Sequence, residues 1–300
     1  MPKKIVVVII GVMLIAMLAW FLRFPAQMTE QSDKREYGIP RQVSLHYEIR
    51  NTGNRLTRGA RFYVFAPVKQ TGTQFVRNIT SDLPHQVVTD DLGHQLVVFD
   101  LPELPPYGRL NLSINSQLGL NSDLSPINNV PPRSSYRQAQ PFIDCDDPAI
   151  MRQAQSLAAE TPRDTARNIY QWVAEHLDYT GPSGKDRGAL HALQTGQGDC
   201  TDAAYLVAAL CRASGIAARC VGGYVCSQDK NLRAHEFHNW AEFWADGRWQ
   251  IADPVNRCFA DRATTYIVTR IWQVEEPGHT PEFFWRHRLE GTNLAVRMIG

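Results

Sequence analysis

No two of the six cysteines, at positions 145, 200, 211, 220, 226 and 258, stand in a CxxC spacing. That excludes a zinc ribbon and a thioredoxin-like redox site, and it leaves a thiol oxidoreductase without a resolving cysteine. An excess of one charge sign is missing too, because 31 basic residues against 30 acidic ones leave a net charge of +1. With no clustered basic face either, nucleic acid is not expected as a partner. There is no internal repeat, no low-complexity tract and no acidic calcium loop. His235 and His238 could join Cys226 or Cys258 around a metal, but no regular spacing completes a tetrahedral set. Neither a metal nor a cofactor is expected.

What the chain does have is an apolar fraction of 44% over 300 residues, enough for ordinary hydrophobic cores in two units. After Lys3 and Lys4, the run from Ile5 to Leu22 carries no charge and no proline. As a helix rising ~1.5 Å per residue it nearly crosses a hydrocarbon core. Trp20-Phe21-Leu22-Arg23-Phe24 fills the place of a small-residue cleavage site, so residues 1–24 read as an uncleaved signal anchor with everything after Arg23 exported.

Residues 25–41 read as a short tether. From residue 42 the pattern turns to period two, with Val43, Leu45, Tyr47 and Ile49 alternating with polar residues. Further strand-like stretches, 60–66, 73–79, 95–101 and 109–115, are separated by Gly- and Pro-containing turns. Residues 42–120 are therefore expected to form a small antiparallel β-sandwich whose partner is unknown. Residues 121–145, with Pro126, Pro131, Pro132 and Pro141, read as a linker without regular structure.

The second unit, 146–275, opens with helical patterns over 147–159, 161–177 and 188–194 and leads to Gly198-Asp199-Cys200-Thr201-Asp202. Asp199 is placed to cap a helix, Asp202 puts a carboxylate in its first turn, and Gly215 is a natural stop. Cys200 then sits at the positive helix end, where free N–H groups favour thiolate over thiol. Gln194, six residues earlier, is a weaker candidate for an oxyanion donor. Trp172 is expected to pack between helices.

Downstream, Asp246-Gly247 is a hairpin signal between 238–244 and 248–254. If these two are the central turn residues, Ala245 pairs with Arg248 and Trp240 faces Asp253. His238 and Asp253 become diagonal neighbours on one face, their backbones roughly 7–8 Å apart. Glu242 shares that face and reads as a partner in a structural ion pair. Gly222-Gly223, inside a strand expected over 217–225, mark either a close substrate approach or tight packing. Thr264 to Val274 reads as a last strand, and 276–300 as a tail in which Phe283-Phe284-Trp285 covers the core or meets the membrane side.

Residues from about 146 to 260 resemble the transglutaminase-like superfamily in its bacterial core-domain form. The resemblance is carried by Gly198-Asp199-Cys200 opening a helix, Cys211 to Arg219 after it, His238-Asn239-Trp240-Ala241-Glu242, and Asp253-Pro254. It implies an α+β, papain-like core with Cys200 as nucleophile, His238 as base and Asp253 orienting the imidazole. The hairpin geometry reaches the same roles for the last two independently. With Cys200 assigned, an odd number of cysteines remains, and Cys211 and Cys220 lie in apolar context as buried small residues.

The expected reaction is acyl transfer through a Cys200 thioester, with Cys200 N–H as one oxyanion donor. Export to the periplasmic side of a bacterial inner membrane, where water is abundant and free protein amines few, tilts the acceptor toward water. The substrate would be a peptide or amide bond in the cell envelope. Crosslinking or amide synthesis by an amine acceptor is the enzymatic alternative, and an inactive tethered assembly module the non-enzymatic one.

Overall fold

The computed structural model describes residues 37–122, 132–272 and 286–300. The signal anchor expected over 1–24, most of the tether, and Phe283 to Trp285 lie outside the described residues. Among the described residues, no helix is long and apolar enough to cross a membrane.

Six strands open the chain: β1 (Ile39–Asn51), β2 (Arg61–Ala66), β3 (Gln74–Ser81), β4 (Gln86–Thr89), β5 (Gln95–Asp100) and β6 (Arg109–Leu120). In β1 the residues of the period-two pattern, Val43, Leu45, Tyr47 and Ile49, are all buried. They meet Phe62, Val64, Val97 and Phe99 of β2 and β5 in one apolar cluster, so two sheets enclose this core. The sequence pattern does not announce β4, because its four residues are all exposed and show no alternation.

The second half begins with α1 (Pro148–Ser156) and α2 (Pro162–His176), then β7 (Asp178–Tyr179), α3 (Ala189–Thr195), β8 (Gln197–Gly198) and α4 (Cys200–Ala213). It continues with β9 (Ala218–Val225), β10 (Lys230–Asn231), β11 (Phe237–Ala245), β12 (Arg248–Asp253), β13 (Cys258–Phe259) and β14 (Tyr266–Ile271). Three of these four helices start where a side-chain cap is encoded: Asp147, Thr161 and Asp199 each accept first-turn N–H bonds. α4 is buried from Thr201 through Arg212. It is packed between α1–α3 and a sheet of order β13-β12-β11-β9-β14. A helix apolar all round requires such a position.

Three sequence expectations are corrected. The strand read at 264–274 is β14, but it is not the last. β15 (His287–Glu290) and β16 (Leu294–Met298) follow within the stretch read as a tail. β15 pairs with β2, and β16 pairs with β1 on the side opposite β6. The sandwich sheets are thus ordered β15-β2-β5-β4 and β10-β1-β6-β3, with β16 also on β1. The linker, finally, contains a 3-10 turn at Ser134–Arg137, whose Tyr136 is buried edge-on against Trp249, with ring centroids 5.4 Å apart. A single turn of this kind needs no longer run of regular backbone, so it forms even in a proline-containing stretch.

Sandwich and sheet are joined along β14. The free edge of that strand faces sandwich residues: Val68 N–H donates to Val268 O at 2.8 Å, and Val268 N–H donates to Gln74 Oε1 at 2.8 Å. Gln74 Nε2 in turn donates to Val68 O at 2.8 Å and Val268 O at 3.0 Å. Farther along, Ile271 N–H donates to His94 Nε2 at 2.8 Å, while His94 Nδ1–H bonds Asp90 at 2.7 Å. Burial holds the His94 imidazole below its ordinary pKa, against the pull of Asp90, which suits an acceptor nitrogen.

Candidate active site

Cys200 owes its position to the first turn of α4. The Asp199 carboxylate accepts from Thr201 N–H at 2.8 Å and Asp202 N–H at 3.1 Å, and Asp202 Oδ2 accepts from Asp199 N–H at 3.1 Å, a reciprocal capping box. Neither carboxylate takes the Cys200 N–H, which stays at the positive end of the helix. Both acids also pin the preceding loop. Asp199 Oδ2 accepts from Ser183 N–H at 2.8 Å, and Arg187 donates to Asp202 Oδ2 through Nε at 3.0 Å and Nη2 at 2.5 Å. Their burial is thereby compensated.

The hairpin closes at Asp246 and Gly247, both at positive φ, and Ala245 pairs with Arg248 as the turn chemistry predicts. In this register His238 Nε2 reaches Asp253 Oδ2 at 2.7 Å. The other ring nitrogen, Nδ1, is not used by Asp253, and Cys200 lies near enough to His238 to act on its pKa. Helix and strand are tied beside this contact by Asn239 Nδ2, which donates to Thr201 Oγ1 at 2.9 Å. The structure thus brings Cys200, His238 and Asp253 together. Cys200 is partly accessible, while Asp253 is 1% exposed.

Burial by itself would push the His238 imidazole down. The hydrogen bond and charge of Asp253, with Cys200 close by, outweigh it and raise the pKa from 6.5 to about 9. Burial likewise works upward on Asp253, yet its carboxyl lies below the usual range because His238, Asn256 and Tyr266 all hydrogen-bond the anion. The pair is therefore ionic at neutral pH, an imidazolium against a carboxylate.

Four contributing residues escaped sequence reasoning. Asn256 binds Asp253 twice, through N–H to Oδ1 at 3.1 Å and Nδ2 to Oδ2 at 2.9 Å. Its place three residues after Asp253, in a turn opened by Asp253-Pro254, is a turn-initiation signal that could have revealed it. Tyr266 donates to Asp253 Oδ2 at 2.8 Å from a strand that nothing local links to the hairpin. Asn239 faces away from His238 along the strand and shows its role only once α4 is docked. Tyr179 is brought beside Gly198 by the β7–β8 pairing. Burial and then the neighbouring Cys200 and Asp199 raise its phenol pKa, so it flanks the thiol.

The profile of the transglutaminase-like superfamily matches residues 151–254. Those residues form a transglutaminase-like core. It runs from α1 to just past Asp253 and so contains all three members of the Cys–His–Asp constellation. No curated protein matches the chain. Among solved structures, a provisionally named cysteine protease of Cytophaga hutchinsonii is similar at a TM-score of 0.55 with 16% identity, over 87% of this chain and 92% of that one. At that identity the likeness speaks to the fold, which is α+β and transglutaminase-like. The periplasmic domain of TgpA from Pseudomonas aeruginosa aligns over 70% of this chain and 89% of that one, at 19% identity and a TM-score of 0.38.

The remaining residues singled out by sequence have structural places around this core. Glu242 Oε2 pairs with Arg219 Nη2 at 2.7 Å, over the Trp249 ring. Trp172 packs on the helical core and stacks on His176, with centroids 4.5 Å apart. Gln194 is exposed on α3. Cys211 and Cys220 are fully buried, and burial pushes both thiols up to about 12. Gly222 and Gly223 are explained by packing. A Cβ on Gly223 would lie 2.0 Å from Ile267 O, and one on Gly222 2.7 Å from Asn239 Oδ1.

Proposed function

We propose that this protein is a cysteine peptidase or amidase of the transglutaminase-like type, acting through a Cys200 thioester. The observation that carries the reading is His238, bonded to Asp253 Oδ2 at 2.7 Å, beside Cys200 at a helix N-terminus and close enough for the two to act on each other's charge. The reacting form of the sulfur is the thiolate, with the His238 imidazolium beside it. The sulfur attacks an amide carbonyl carbon, and the carbonyl oxygen gains negative charge opposite the Cys200 N–H. His238 gives its proton to the departing amine as the C–N bond breaks, leaving the thioester and a neutral imidazole. Water then attacks the thioester carbonyl while His238 takes its proton. Breaking the C–S bond releases the carboxylic acid and restores the ion pair. Asp253 keeps Nε2–H fixed throughout, so Nδ1 is the nitrogen that exchanges protons.

The choice of water over an amine acceptor, and of an envelope peptide as substrate, rests on the export reading of residues 1–24. That reading rests on the apolar run Ile5 to Leu22.

Labelling with iodoacetamide at pH 6, with the site read by mass spectrometry, tests the chemistry without a known substrate. Cys200 is expected to be alkylated selectively, and that selectivity to collapse in His238→Ala. Equal, slow labelling of several cysteines in both proteins would mean that Cys200 is an ordinary thiol.

A further inference from the structure

Asp253 Oδ2 accepts three hydrogen bonds, from His238 Nε2 at 2.7 Å, Tyr266 Oη at 2.8 Å and Asn256 Nδ2 at 2.9 Å. Two of these come from the hairpin and the loop that follows it. The third comes from β14, the strand whose other edge is clasped by the sandwich. We propose that Tyr266 is a positioning residue acting through Asp253: by sharing Oδ2 it limits how strongly the carboxylate holds His238, and the β-sandwich keeps it in place through β14. The proposal rests on the Cys–His–Asp reading above.

The geometry carries this in three steps. Tyr266 is 2% exposed, its ring packed edge-on to Trp240 with centroids 5.0 Å apart, and Trp240 in turn stacks on His238 at 6.2 Å. The phenol cannot swing away without opening that stack. Two residues on, Val268 is gripped at both its N–H and its carbonyl by Gln74, and the carbonyl also accepts from Val68 N–H. β14 therefore cannot slide along β9 without breaking sandwich contacts. Its ladder with β9 already skips a residue between Val268 and Arg270, where Thr269 Oγ1 donates to Gly222 O at 3.1 Å. This bulge fixes the register from the other side.

A donor on a carboxylate oxygen spreads its negative charge and lowers its pull on every other donor there. Asp253 and Cys258 raise the Tyr266 hydroxyl pKa, after burial, so it stays protonated and donating through the neutral range. The charged and titratable groups around the pair are Cys200 on α4, Tyr170 on α2, Cys258 on β13, and Arg257 and Arg262 in the surrounding loops. None of them replaces the phenol on Oδ2.

Tyr266→Phe removes one oxygen and leaves Asp253 its bonds from Asn256 and His238. The test is the pH profile of Cys200 alkylation by iodoacetate, an anion drawn to the imidazolium and therefore slowed as His238 loses its proton. In the parent the alkaline break is expected near the His238 pKa of about 9. In Tyr266→Phe it is expected to move upward by about half a unit, with the thermal midpoint checked separately to show that the variant is folded. A folded variant with an unmoved break overturns the proposal, because a purely structural tyrosine would leave the break where it is. A break that moves down overturns it as well, since Tyr266 would then orient Asp253 rather than share its charge. If the parent itself has no break and His238→Ala labels as fast as the parent, it is the Cys–His reading that fails.

Discussion

A carboxylate buried to 1% exposure survives without its proton only because donors surround it, and four converge on Asp253. This arrangement sets the pH window of the site. His238 is the group with a raised pKa, so the stability its imidazolium contributes is fully present below about 6.5 and is lost as pH rises through about 9. Replacing Asp253 by Asn removes the charge that sustains the upper value. The alkaline break of iodoacetate labelling is then expected to fall by about one to two units. A break that stays near the parent value would mean that Cys200 alone sets the imidazole's affinity for its proton. Gly223 is a second residue-scale case. A side-chain Cβ at this position would come within 2.0 Å of Ile267 O, which leaves no room for alanine in the β9–β14 ladder. Gly223→Ala is expected to cost about 2–3 kcal/mol in denaturant unfolding. A loss below about 0.5 kcal/mol would show that the ladder can shift to accept it.

Among the elements, β14 is the one whose role goes beyond its sequence. Apart from Arg270, its residues Tyr266 to Ile271 are β-branched or aromatic, which marks a strand and nothing more. Paired with β9 it covers one edge of the catalytic sheet, and through Gln74, Val68 and His94 it joins that sheet to the sandwich. Gln74 is fully buried and satisfies two carbonyls and one N–H. Gln74→Met keeps its volume and removes all three bonds. It is expected to destabilise the protein by about 2–4 kcal/mol, read as a lower denaturation midpoint. An unchanged midpoint would mean that the clasp is held by Val68 and His94 alone. α4, by contrast, is explained almost entirely by its own sequence, with its cap at Asp199, an apolar run and a stop at Gly215, whose φ is +76°.

On the scale of the whole molecule, the stretch after residue 286 returns to the N-terminal sheets. β15 adds to β2 and β16 adds to β1, so the sandwich is completed by residues far beyond the catalytic sheet in sequence. The transglutaminase-like core is therefore bracketed by the two parts of one β-unit, and β14 and the β10–β1 pairing link it to that unit. Unfolding of the sandwich and loss of the site are expected to be coupled for this reason.

Sequence alone was enough for the features in which neighbours along the chain supply the physics. Cap, apolar run and stop define α4. Asp246-Gly247 defines a two-residue turn, and that turn's register brings His238 within reach of Asp253. These are short-range constraints of backbone geometry and pairing parity. What only the tertiary structure decided depends on contacts between distant segments. Thr201 meets Asn239, Tyr179 flanks Cys200 through a two-residue strand pair, Tyr266 reaches Asp253 across two strands of the sheet, and β16 closes on β1. No local periodicity encodes such pairings. They arise because the sheet must cover its edges and buried polar groups must find partners, wherever in the chain those partners lie.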